Sequence, residues 1–244
     1  MHVYLSPHLD DICFSLAHLA GRYHGELVNL YTRCRYVAAA VDLPADEEAR
    51  VEAVSRLRRA EDIRFAEATQ LTRQDLELKE PALMGRHWRD LADIEGEVAA
   101  LSACLLPVLS ELLPKSGPSA ACLFCPMGIG GHRNHVTTLM AVRAAYDALR
   151  TRCSVYLYED LHYASEPQAR AAGLQRAGQV FAGCRLTGTV LKLDPVEAAR
   201  KMGLIGLYAS QHGAPPREAA FTPASGAAAG LHEIVWLVEP GAQA

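Results

Sequence analysis

No apolar run in this sequence is long enough to cross a membrane. The longest, Ala99 to Leu113, is interrupted by Ser102, Pro107, Ser110 and Glu111, whereas a spanning helix needs about 20 predominantly apolar residues. There is no basic block either. The 24 basic and 28 acidic side chains give a formal charge of −4, and nothing supplies the patch that nucleic-acid backbones require, so no nucleic-acid partner is expected. A secretory leader needs a basic end followed by an apolar run. Here Met1–Leu5 reads as a strand start, with Pro7-His8-Leu9-Asp10-Asp11 directly behind it. The seven cysteines, at positions 13, 34, 104, 122, 125, 153 and 184, are odd in number and dispersed. That pattern suits a reducing compartment better than a disulfide framework, and a cytoplasmic location is expected. Repeats and linkers are also lacking, so residues 1–244 read as a single domain.

What is present is the composition of an ordinary globular protein, 50% hydrophobic and 21% charged. Val3–Leu5, Glu26–Thr32, Ala121–Cys125, Ser154–Tyr158, Thr189–Leu193 and Ile234–Val238 read as strands. Asp46, Glu47 and Glu48 mark the start of a helix running to about Ala68. Val98, Leu101, Leu105, Val108, Leu109 and Leu112 recur at helical spacing, and Pro107 is expected to kink that helix. Val136, Leu139, Met140 and Ala144 write a third helix, and Val196–Tyr208 a later one. Strands alternating with helices imply an α/β fold, Rossmann-like, with a mostly parallel sheet and helices on both faces. Gly213–Gly230 is the one convincing loop.

In such a sheet, ligands bind where strands end and helices begin. Two of these junctions carry unusual residues: Ser6-Pro7-His8-Leu9-Asp10-Asp11 and Gly130-Gly131-His132-Arg133-Asn134-His135. Adjacent carboxylates just past a strand either cap the next helix or share a cation. A histidine two residues upstream, and a histidine pair at the second junction, can complete a site of two nitrogens, one carboxylate and an open position, as a catalytic zinc needs. The pairing of two such junctions points to a metal; it names no reaction.

These residues resemble the PIG-L/LmbE-like zinc-dependent N-deacetylase family. Ser6–Asp11 resembles its PHxDD motif in the SPHLDD form, and Gly131–His135 resembles GHxDH. Weaker echoes are Arg58 and Glu61 (R-x-x-E), Tyr158–Leu161 (YED), Tyr208–Gln211 (Y-x-SQ) and Glu233–Trp236 (E-x-x-W). The resemblance implies a single deacetylase domain that removes an N-acyl, chiefly acetyl, group from an amino sugar or sugar-containing small molecule, as in secondary metabolism. It implies that His8, Asp11 and His135 hold Zn2+ or another divalent transition metal. Asp10 would be the general base, and His132 would stabilise the oxyanion and help the amine leave. Arg58 matches the family's helix motif, Glu80 falls where relatives often carry an acidic residue that binds sugar hydroxyls, and His162 stands close to the YED segment where related sequences often have proline; all three are expected to touch substrate. One departure stands out: Asn134 occupies the place of the family aspartate expected to hold and charge-stabilise His132. A weakened acid form of His132 is therefore expected. An amidase of a conjugate, a metal-site enzyme with other chemistry, and a non-catalytic metal- or ligand-binding member are the alternatives. A homo-oligomer is left open.

Two further motifs carry less. Gly128-x-Gly130-Gly131 would need a glycine at Arg133 to complete a dinucleotide fingerprint. Cys122-x-x-Cys125 has redox spacing but sits within an apolar strand, so core packing is expected.

Overall fold

The computed structural model describes residues 1–115 and 121–241. Its sheet comprises β1 (His2–Ser6), β2 (Gly25–Asn29), β3 (Thr72–Asp75), β4 (Cys122–Pro126), β5 (Ser154–Tyr158), β6 (Cys184–Lys192) and β7 (His232–Pro240). The helices are α1 (Asp11–Arg22), α2 (Glu47–Thr69), α3 (Glu95–Leu112), α4 (Arg133–Leu149), α5 (Pro167–Val180) and α6 (Pro195–Ile205). Strand order is β3-β2-β1-β4-β5-β7-β6. The first five strands are parallel, and β7 runs antiparallel to both of its neighbours. The Rossmann-like α/β reading holds. Among the described residues no helix is long and apolar enough to cross a membrane.

Chain order moves one way from β1 to β2 and the other way from β4 to β5, so β1 and β4 flank a topological switch point. Right-handed crossovers then place α1 and α4 on opposite faces. One layer packs α1 with α2 and α6, and the other packs α4 with α3 and α5. Between them lies a core that includes Val3, Leu5, Leu27, Leu123, Val155 and Leu157, none more than 1% exposed.

Local chemistry sets the helix ends. Asp46 caps α2 by accepting from the Ala49 N–H at 2.8 Å. Asp194 and Glu197 form a capping box on α6. α3 continues through Pro107 to Leu112. Pro107 lies on the exposed side of the helix, where the carbonyl it leaves without a donor can meet water. α1 does break, at Leu16 (φ −132°, ψ 26°). The N–H groups freed there, of His18 and Leu19, donate to Glu233 at 2.8 and 3.0 Å, and Lys201 pairs with the same carboxylate at 2.9 Å. The two charges are both 0% exposed at the side chain, so this pair replaces helix bonds inside the core. The described structure has seven free cysteines, with Cys125 buried and Cys122 half-buried as the core reading expected.

Candidate active site

Both junctions lie at the switch point, at the carboxyl ends of β1 and β4. Asp10 stands at the amino terminus of α1 but makes no side-chain cap bond; its Oδ1 accepts from Arg58 Nη2 at 2.8 Å. Asp11 Oδ2 accepts from the His8 N–H at 2.6 Å, fastening the turn. Adjacent in sequence, the two carboxylates thus face different partners.

Three ligand atoms converge. His8 Nδ1 lies 3.2 Å from Asp11 Oδ2 and 3.2 Å from His135 Nε2, and His135 Nε2 lies 3.3 Å from Asp11 Oδ2. A tetrahedral ion with bonds of about 2.0–2.1 Å keeps its ligands about 3.3–3.4 Å apart. The observed triangle fits that requirement, and its donor set of two imidazoles and one carboxylate suits a divalent transition metal. All three residues are buried, at 0–8% exposure.

His135 is oriented from behind. Its Nδ1 donates to Asp160 Oδ1 at 2.6 Å, and Asp160 Oδ2 accepts from the Ile129 N–H at 2.8 Å. Burial alone would lower the His135 pKa, but Asp11 and Asp160 outweigh it and raise it to about 9. His8, by contrast, is held well below the usual imidazole value by burial and by His135.

His132 caps α4. Its Nδ1 accepts from the Asn134 N–H at 3.3 Å, which leaves the ring's proton on Nε2. Its donor atom also lies within 4.8 Å of those of His8 and His135. The cap bond distinguishes it from them, because a protonated Nε2 is a hydrogen-bond donor and not a ligand. Burial, His8 and His135 all push the His132 pKa down, so the ring is neutral. Trp88 lies beside it with ring centroids 5.3 Å apart, and the Trp88 carbonyl accepts from the Arg133 N–H at 2.7 Å.

No family model and no curated protein matches the sequence. Solved structures do match. The deacetylase of A40926 pseudoaglycone superposes with a TM-score of 0.68 at 20% identity, covering 100% of this chain and 98% of that one. The zinc-inhibited form of teicoplanin deacetylase gives 0.70 at 17% identity, covering 100% and 99%. N,N′-diacetylchitobiose deacetylase from Pyrococcus horikoshii, with its inhibitor, gives 0.50 at 13% identity, covering 86% and 70%. The chain has the fold of these deacetylases.

The expected substrate contacts are distributed unevenly. Arg58 is 3% exposed and already engaged, donating to Asp10, to Glu80 Oε1 at 3.2 Å and to Cys34 Sγ at 3.4 Å. It braces the carboxylate of Asp10 from behind. Glu80, 8% exposed, shares that guanidinium, and burial pushes its pKa up to about 7 against the pull of Arg58. His162 is exposed beside the half-buried Tyr163, with ring centroids 4.6 Å apart. Asn134 does not hold His132 with its side chain as expected. Its Nδ2 lies 2.9 Å from His8 Nε2, and its Oδ1 is buried without a partner.

The fainter motif echoes turn out to be braces. Glu61 accepts from the Ser210 N–H at 2.8 Å and from its hydroxyl at 2.6 Å, and Tyr208 donates to Asp62 at 2.8 Å. Trp236 Nε1 donates to Glu159, which Arg170 grips with two bonds of 2.7 Å. Asp160 is the functional residue that sequence reasoning left without a role. Its signal was the carboxylate just past the end of β5, the strand beside β4.

Proposed function

We propose that the protein is a zinc-dependent hydrolase that removes an N-acyl group, chiefly acetyl, from an amino sugar or a sugar-containing small molecule. The observation that carries this reading is the triangle of His8 Nδ1, Asp11 Oδ2 and His135 Nε2 with a second, unligated carboxylate, Asp10, next to it. Zinc held by those three atoms supplies Lewis-acid polarisation of the amide carbonyl and of water. Asp10, with Oδ1 fixed by Arg58, takes the proton from the attacking water at its other oxygen. His132, neutral and carrying its proton on Nε2, donates to the oxygen on which negative charge develops. As the carbon–nitrogen bond breaks, the proton held by Asp10 passes to the leaving amine, giving a free amine and a carboxylate. His132 thus works as an electrophile, and Asp10 carries the proton in both directions.

Deacetylation is supported by the neighbours' own names, which identify deacetylases of A40926 pseudoaglycone, of teicoplanin and of the N-acetylated sugar N,N′-diacetylchitobiose. They favour a role in natural-product biosynthesis, and a cytoplasmic small-molecule enzyme, as a monomer or homo-oligomer, remains our reading. The free carboxylate of Asp10 favours hydrolysis over a purely metal-binding role. The test is release of primary amine and acetate from a panel of N-acetylglucosamine conjugates with added zinc. Zinc-dependent release from at least one member is expected; no release from any substrate, by a protein that binds zinc, contradicts the proposal.

A further inference from the structure

A histidine offers its metal-facing nitrogen as a lone pair only when its proton sits on the other nitrogen. For His8 the metal-facing atom is Nδ1, 3.2 Å from both Asp11 Oδ2 and His135 Nε2, so the proton must reside on Nε2. The group that meets Nε2 is the Asn134 side chain, at 2.9 Å and 0% exposed. As it stands, the amide presents Nδ2 to Nε2. That is a donor facing an atom that then accepts, and it puts the His8 proton on Nδ1, among the ligand atoms. The Asn134 oxygen meanwhile is buried without a donor in reach. A half-turn of the amide about Cβ–Cγ fills the same space, brings that oxygen to Nε2 and reverses the direction of the bond.

We propose that Asn134 is a positioning residue for the metal ligand His8, its amide carbonyl accepting the His8 Nε2–H when a metal is bound and its amide NH2 donating to Nε2 when none is. This rests on the metal site of the preceding section and deepens it. His135 has a partner that can only accept, the Asp160 carboxylate. His8 has one that can do either. The protein therefore fixes the Nδ1 proton of one imidazole in either state and lets the other change tautomer with loading. Asn134 in place of an aspartate is then a change at His8, because the side-chain hydrogen bond observed runs to His8 Nε2 while His132 meets only the Asn134 backbone N–H. A carboxylate at 134 would accept from Nε2–H in both states and leave His8 ready in advance.

Two variants and one spectrum test this. Asn134→Leu keeps the same branched heavy-atom shape without an acceptor, and Asn134→Asp keeps the acceptor and removes the donor. Zinc affinity is measured by competition with a chromophoric chelator, alongside thermal melting of each metal-free protein. Asn134→Leu should weaken zinc binding about 10–100-fold, the usual effect of removing a group that orients a metal-bound histidine. Asn134→Asp should bind zinc at least as tightly as the unaltered protein. Should the leucine variant fail to fold, nitrogen-15 NMR of the unaltered protein decides. Zinc loading should move the His8 proton from Nδ1 to Nε2. Affinity unchanged within threefold in a folded Asn134→Leu protein, or a His8 proton on the same nitrogen in both states, would overturn the proposal. None of these readouts requires turnover. A failure here leaves deacetylation standing, and a failure of amine release with these shifts intact leaves Asn134's role standing.

Discussion

Replacing Asp160 by asparagine tests the support behind the metal site with one atom's change in charge. Asp160 accepts two hydrogen bonds, from His135 Nδ1–H at 2.6 Å and from the Ile129 N–H at 2.8 Å, in a place where it is 0% exposed. Both partners are donors. A carboxylate satisfies both, whereas an amide has one acceptor oxygen and must turn an NH2 toward the other donor. If the oxygen stays with His135, the Ile129 N–H is left buried and unpaired, at a cost of about 1–3 kcal/mol. For a chain of this size that lowers the melting temperature by about 2–12 °C. If the oxygen goes to Ile129, His135 loses its orienting bond and zinc affinity falls about 10–100-fold. Either way the loss of the negative charge weakens the ligand. Denaturation of the metal-free protein and zinc competition together read both branches. An Asp160→Asn protein that melts within 1 °C of the original and binds zinc within threefold would refute the reasoning.

Other consequences follow from the same geometry. Asp10→Asn should retain stoichiometric zinc yet lose about 10²–10⁴-fold in kcat, measured by amine release with metal analysis on the same sample. With a His135 pKa of about 9 in the metal-free protein, loading zinc at pH 7 should release close to one proton from that residue, and zinc affinity should climb from pH 7 and level off above about pH 9. Calorimetry in buffers of different ionisation enthalpy counts that proton. The same raised pKa stabilises the metal-free fold fully below about pH 6.5, the unfolded histidine value, and this contribution is lost as pH rises through about 9, so metal-free melting temperatures should fall across that window. Lys201→Met should destabilise the protein by about 3–5 kcal/mol in urea titration, because Glu233 is left charged and buried beneath the break in α1.

The two motifs that carry the site were legible because metal chemistry demands particular residue types at strand ends, and β1 and β4 are neighbours whose carboxyl ends open together. The direction of a side chain across a packed interface was not legible. Arg58 was expected to touch substrate, and only the fold shows that α2 also aims it at Asp10. Asn134 reads as a partner for His132 two residues away until the fold brings His8 closer. α5 escaped notice for a related reason: it buries only Gly173 and Ala177, too small a stripe to mark a helical period. β3, with Thr72–Asp75 all partly or fully exposed, has no apolar alternation to announce it. β7 is antiparallel to both β5 and β6, and a strand's composition says nothing of its direction.

Anomalous diffraction from crystals of the zinc-loaded protein tests the central claim most directly. One zinc peak per chain is expected, within about 2.3 Å of His8 Nδ1, Asp11 Oδ2 and His135 Nε2, with Asp10 and His132 unligated. A peak bound through His132, through His8 Nε2, or away from the junction of β1 and β4 would contradict it.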